Sequence, residues 1–205
     1  FLPMGQHISG ACLKNIESAV IAINSSMSLG RQRFTLAHEL YHFYYDENDK
    51  KVVCSKNTNG SNEIEKTADI FASYFLAPPN ALYQAIQDCM KLSLNNIIKL
   101  EQYFGLSHQA MLIRLSQEGF ISSSEIDTYQ GGIINQATRL GYDTTLYRPS
   151  SKEKEYFTLG HYISLTENLL QEDKISYGKY EELLLDAFRE DIVFGEDDEG
   201  GELLD

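Results

Sequence analysis

His38-Glu39-Leu40-Tyr41-His42 sets two imidazoles four residues apart, with a carboxylate directly after the first. On a helix, at about 100° per residue, His42 falls about 40° from His38 and one turn further on, so both rings leave from one face. Two imidazoles so placed suit neighbouring corners of a tetrahedral zinc ion, whose nitrogen ligands sit at about 2.0–2.1 Å. Glu39 lies about 100° round, at the rim of that face. There a carboxylate reaches a water beside the ion without binding the ion, which is the placement a general base needs in metal-assisted hydrolysis. Leu36, Leu40 and Phe43 fall on the far side, so the expected helix has an apolar back and a histidine front. Taken alone, HExxH also arises by chance in helix-rich chains, where it amounts to two surface histidines.

The segment EIEKTADIFASYFLAP, from Glu63 to Pro78, changes that balance. Glu65 and Asp69 are four residues apart and share a helical stripe, beside an apolar arc of Ile64, Ala68, Phe71, Ala72 and Phe75. A helix of this kind buries one side while holding two carboxylates at the edge of the contact. Glu65 is placed to be the third ligand to one zinc ion. Asp69 is placed to accept the other N–H of a ligand histidine, fixing its tautomer and raising its basicity. Glu63 competes for the ligand role, but it lies about 160° from Glu65, so only one of the two can face the metal. Tyr41 and Tyr45 flank the metal face as candidate substrate-cleft residues: they would narrow the cleft or polarise a carbonyl, packing being the commoner use of such rings. His7 and His161 have no ligand-spaced company, and His108 is expected to be a surface residue at a helix start. Cys54, between the two zinc helices, is expected to be a surface thiol rather than a fourth ligand.

These side chains need helices to carry them. Apolar spacing predicts helices over 31–46, 62–77 and 80–91, the second stopped by Pro78-Pro79. Before them, residues 8–15 and 19–24 are short and partly β-branched, and predict a two-stranded hairpin. Residues 47–62 are polar and predict a surface loop. Ser93 is expected to cap a helix ended by Gly105, and Ser107 to cap the next, giving a helix-turn-helix-like pair. Its charges, Lys99 and Arg114 against Glu101 and Glu118, cancel. DNA-reading helices carry a basic footprint, so a structural or protein-docking role is expected here. A helix to about Leu140, weakened by Gly131-Gly132, precedes a linker at 141–151. Two amphipathic helices are expected over about 153–193, followed by an acidic disordered tail. The expected organisation is a catalytic domain at 1–92, the helix-turn-helix-like segment at 93–147, a helical region at 148–193 and the tail at 194–205. The fold class is α+β and mostly helical.

The 205 residues carry 17 Lys and Arg against 30 Asp and Glu, a net charge of −13. That balance opposes direct binding to a nucleic-acid backbone. No apolar run approaches the ~20 residues of a membrane span, and the opening residues lack the pattern of a secretory leader. Three cysteines, Cys12, Cys54 and Cys89, are widely spaced with no CxxC. Thiols in a reducing cytoplasm are the expectation.

RFTLAHELYH followed by EIEKTADIFASYFLAP resembles the ImmA/IrrE family of cytosolic zinc metallopeptidases, over roughly residues 8–120. Two separate motifs agree with that family in order and spacing. The resemblance implies a zincin-like core with a small sheet packed on the HExxH helix. It implies His38, His42 and Glu65 as zinc ligands and Glu39 as base. It also implies a protein substrate, typically a DNA-binding helix-turn-helix repressor. Two departures stand out: Tyr41 replaces the family's usual glycine, and the second motif ends in LAPP rather than a Leu-Met-Pro sequence. The leading expectation is therefore a zinc endopeptidase. The alternative is a non-catalytic zinc-containing protein that regulates by holding a partner, and an intact Glu39 favours the enzyme.

Overall fold

The computed structural model describes residues 1–14, 19–45, 63–86 and 92–195, together with the backbone of 52–55. The chain is mostly helical α+β and divides into two compact units, Leu2–Glu155 and Tyr156–Asp205 with Phe1.

In the larger unit, β1 (Ile8–Lys14) and β2 (Ala19–Ile23) form the expected antiparallel pair, with Gly10 opposite Ile23 and Lys14 opposite Ala19. A third strand, β3 (Val52–Ser55), pairs antiparallel with the other edge of β1, giving the order β2-β1-β3. This strand lies inside the segment expected to be a surface loop. Val-Val-Cys has the β-branched character of a strand, but four residues among Lys, Asn and Ser are too few to show an alternating pattern.

The sheet packs on α1 (Leu29–Tyr45), and α2 (Glu63–Leu76) packs on the same helix. The entry to α1 is organised by two buried amides. Asn24 Nδ2 donates to Ile8 O at 2.7 Å, while its Oδ1 accepts from the Met4 and Ser26 amides. Gln32 Nε2 donates to Met27 O at 2.7 Å and Ser25 O at 3.1 Å. At the other end, Lys14 Nζ donates to Phe43 O at 3.0 Å, so a cation on β1 satisfies a carbonyl of the last turn.

Sandwiched in this way, α1 reverses the expected polarity. Its buried face is the histidine face, with Thr35, Ala37, His38, Glu39 and His42, whereas Leu36 is 37% exposed. Burial of the polar face is tolerable because its groups interact with one another, with α2 and with β1.

Beyond α2 lie α3 (Pro79–Ile86), α4 (Leu94–Phe104) and α5 (His108–Gln117). The start of α3 matches expectation, and its expected end at Lys91 lies outside the described residues. Ser93 and Ser107 cap α4 and α5, and Gly105 ends α4 in the left-handed conformation at φ 66°. These helices hold the main hydrophobic core, including Leu82, Ile97, Leu106, Met111, Leu112 and Leu115.

His108 is not a surface residue. It is buried, with Nδ1 2.6 Å from Glu101 Oε1 and Nε2 donating to Tyr129 O at 3.0 Å. Glu101 and Arg114 are also fully buried. Tyr147 donates to Glu101 Oε2 at 2.8 Å, and Arg114 Nε donates to Ala77 O at 3.1 Å beneath the Tyr74 ring. Of the four cancelling charges, Glu101 and Arg114 are thus buried groups that brace the helices.

The helix expected to reach Leu140 is broken into α6 (Ser123–Ile126), a 3-10 turn at Asp127–Tyr129 and α7 (Ile133–Arg139). The break falls at Gly132, whose φ of 73° no helix accommodates. The polar stretch 141–151 is packed rather than free-running: Leu146 is buried, and Ser150 Oγ donates to Gln32 Oε1 at 3.2 Å.

The smaller unit comprises α8 (His161–Gln171), α9 (Tyr177–Asp186) and α10 (Glu190–Phe194). The last expected helix is split at Phe188, which has φ 57°. Leu184 is buried, whereas Leu185, Phe188 and Ile192 keep more than a third of their surface. The Phe1 ammonium donates to Phe157 O at 2.7 Å. The acidic tail from residue 196 onward and Cys89 lie outside the described residues, as does the side chain of Cys54.

Candidate metal centre

Successive turns of α1 bring His38 and His42 together, with ring centroids 4.9 Å apart and the two Nε2 atoms 3.1 Å apart. From α2, Glu65 reaches across the helix contact. Its Oε2 lies 3.2 Å from His38 Nε2 and its Oε1 3.5 Å from His42 Nε2. Ala68 and Ala72, both fully buried, let α2 approach α1 closely enough for this. Among the described residues, His38, His42 and Glu65 form the one cluster of three potential ligands.

The three separations give a direct test of fit. Ligands at about 2.0–2.1 Å from a tetrahedral ion are separated by about 3.4 Å. The 3.1 Å between the two Nε2 atoms and the 3.2 Å from His38 Nε2 to Glu65 Oε2 are close to such edges; the 3.5 Å from His42 Nε2 is to the other Glu65 oxygen, and one ligand atom from each of the three residues lies within 4.8 Å of the others. Two imidazoles and a carboxylate are also the donor set that catalytic zinc favours, with a fourth corner left for water or substrate.

Asp69, one turn beyond Glu65, completes the support. Its Oδ1 accepts from His38 Nδ1 at 2.9 Å, which leaves His38 Nε2 to face the ligand triangle. Glu63 is exposed and pairs with Lys66 at 3.3 Å, away from the cluster. His38 is strongly perturbed. Burial is the largest single influence and lowers its pKa, but hydrogen bonds to Asp69 and Glu65 and the charges of Asp69 and Glu39 outweigh it, raising the value from 6.5 to about 9. A divalent ion would displace that proton and take over its role among the acids.

Glu39 is completely buried, on the sheet side of α1. Its position depends on Gly10 of β1. A Cβ at residue 10 would lie 2.6 Å from Thr35 Cγ2, 2.9 Å from Ala22 O and 3.0 Å from Glu39 Oε1. Sequence reasoning passed over Gly10. A glycine inside a strand that faces an HExxH helix was the available signal.

Tyr41 packs edge-on against His42 at 5.8 Å and so stands next to the cluster, whereas Tyr45 packs on the Tyr41 ring at 5.2 Å, one ring further out. His7 and His161 are exposed, and neither is a member of the cluster.

A family model described as the IrrE N-terminal-like domain, of the Peptidase_M78 family, matches residues 1–116, more than half of the chain. The chain belongs to this family. The match contains every residue of the cluster, from Gly10 on β1 to Asp69 on α2, and ends within α5. Membership makes the chain a protein of a metallopeptidase family, and the His38, His42 and Glu65 cluster is where a metal would sit. A comparison with curated proteins finds no match. Among the described residues, no helix is long and apolar enough to cross a membrane.

Proposed function

We propose that this protein is a zinc-dependent endopeptidase acting on a cytoplasmic protein, with a helix-turn-helix repressor as the substrate class that the family resemblance suggests. The observation that carries the proposal is the close cluster of His38, His42 and Glu65 with a buried carboxylate beside it, in a chain of a peptidase family.

In this reading His38, His42 and Glu65 hold one zinc ion. When bound, the ion supplies Lewis acidity, which brings the pKa of water toward ~7 and polarises the scissile carbonyl. Glu39 is the general base: it takes the proton from the attacking water and passes it to the departing amine nitrogen. Asp69 keeps His38 Nδ1 protonated, so that His38 meets the ion through Nε2. Gly10 leaves the space that Glu39 occupies. The acidic charge balance supports a protein rather than a nucleic acid as the direct partner.

A non-catalytic protein that merely holds a partner has no need of a carboxylate next to the ligand triangle, and Glu39 weighs against that reading. The test is cleavage of internally quenched peptides by zinc-loaded protein, by the same protein after chelation, and by Glu39→Gln. Cleavage by the zinc-loaded wild type alone is expected. Equal cleavage by Glu39→Gln removes Glu39 from the mechanism.

A further inference from the structure

Next to the cluster the structure carries a partly exposed aromatic surface. Tyr41 and Tyr45 are one turn apart on α1, and Phe71 and Phe75 one turn apart on α2. Their rings form a continuous strip. Tyr41 lies 5.7 Å from Phe71 and 5.2 Å from Tyr45, Tyr45 lies 5.9 Å from Phe71, and Phe71 stacks on Phe75 at 5.6 Å. The near end touches the site itself, since Tyr41 packs edge-on against His42. The far end stands open, with Tyr45 61% and Phe75 56% exposed.

We infer that this strip is a specificity subsite, which binds a bulky apolar side chain of an extended polypeptide close to the bond presented to His38, His42 and Glu65. The inference rests on the proposed peptidase reading and adds the class of substrate sequence. Three arguments favour a polypeptide as occupant. The strip begins at the Tyr41 ring, which touches the buried His42 ring, so a chain presented to the cluster passes close to the aromatic rings. An extended chain advances about 3.3–3.6 Å per residue, so the steps of 5.6–5.8 Å between successive rings from His42 through Tyr41 and Phe71 to Phe75 are covered within a few residues. The rings are also rigid and amphipathic, with Tyr41 and Tyr45 bearing hydroxyls at their tips. Such surfaces take up apolar side chains at low entropic cost while remaining compatible with water when empty.

The residue type at position 41 has a part in this. Glycine there, the usual residue in the family that this motif resembles, would leave His42 without its edge-on ring and would break the strip at its near end. Phe71 and Phe75 would then be isolated from the ligands.

The experiment uses two peptides that differ only in one central residue, Phe or Ser, with the wild-type protein and the double variant Tyr45→Ser/Phe75→Ser. Both substituted positions are more than half exposed, so the fold is expected to survive; circular dichroism and zinc content check this. Equilibrium binding is measured by calorimetry on metal-free protein, where no cleavage occurs, and cleavage rates are measured on zinc-loaded protein. The expected result is about tenfold tighter binding of the Phe peptide than the Ser peptide by wild type, with that preference lost in the double variant. If both peptides bind the wild type equally, or the double variant keeps the preference, the subsite is overturned and the peptidase reading is untouched. A binding preference without any cleavage leaves the subsite standing and removes the peptidase reading. Sedimentation of both proteins tests the other occupant: a wild-type dimer that the double variant dissociates, with peptide preference unchanged, assigns the strip to a second copy of the chain and overturns the inference.

Discussion

Asp69 Oδ1 accepts from His38 Nδ1 at 2.9 Å, and this one bond decides which nitrogen of His38 faces Glu65. Removing it leaves the ring free to turn and lowers its basicity. Asp69→Ala is expected to weaken zinc binding by about 10–100-fold, the usual effect of losing such a partner. Competition with a chromophoric chelator measures it. Glu63→Ala, at an exposed residue paired with Lys66, is the control and is expected to leave affinity unchanged.

The raised pKa of His38 links metal binding and stability to pH. Folded, metal-free protein holds the proton up to about pH 9, whereas the unfolded chain releases it near 6.5. The stabilisation is therefore fully present below pH 6.5 and is lost as pH rises through about 9. Denaturant midpoints of metal-free protein are expected to fall across that window, and His38→Gln to flatten the fall. Zinc affinity is expected to rise across the same window, because the ion must displace the proton.

Gly10 offers a way to disturb Glu39 without touching a ligand. Gly10→Ala places a methyl 3.0 Å from Glu39 Oε1 and 2.9 Å from the Ala22 carbonyl. Zinc content is expected to stay at the wild-type level while peptide cleavage falls at least about tenfold, the general-base contribution being about 10²–10⁴. Wild-type cleavage rates in a folded Gly10→Ala protein would show that Glu39 does not depend on this contact.

The buried pair of His108 and Glu101 bears on stability alone. His108→Ala removes one partner of the buried Glu101 carboxylate, to which Tyr147 still donates. A loss of about 3–5 kcal/mol is expected from stranding a buried charge. Urea denaturation measures it, and zinc affinity is expected to be unaffected.

The candidate cluster was legible because helical periodicity turns spacing into direction: His38 with His42, and Glu65 with Asp69, each lie four residues apart. The caps at Ser93 and Ser107 and the stop at Gly105 were legible for a similar reason, since a local hydrogen bond or a left-handed φ is set by one residue type. What spacing does not carry is what lies on the other side of a helix. The histidine face of α1 is its buried face, and Leu36 is left partly exposed, because the sheet and α2 clasp α1 from two directions. His108 was expected at the surface, although a seven-residue separation across the Gly105 turn brings it into contact with Glu101. Strand β3 escaped notice because four residues bounded by polar ones show no period.

Zinc stoichiometry is the most direct measurement of the central claim. Wild-type protein and Glu39→Gln are expected to bind one zinc ion per chain, and X-ray absorption is expected to show nitrogen and oxygen ligands at about 2.0–2.1 Å. Glu65→Ala and His38→Ala are expected to lose the ion under the same conditions. Full zinc occupancy in a folded Glu65→Ala protein, with an unchanged absorption spectrum, would contradict the assignment of the metal centre.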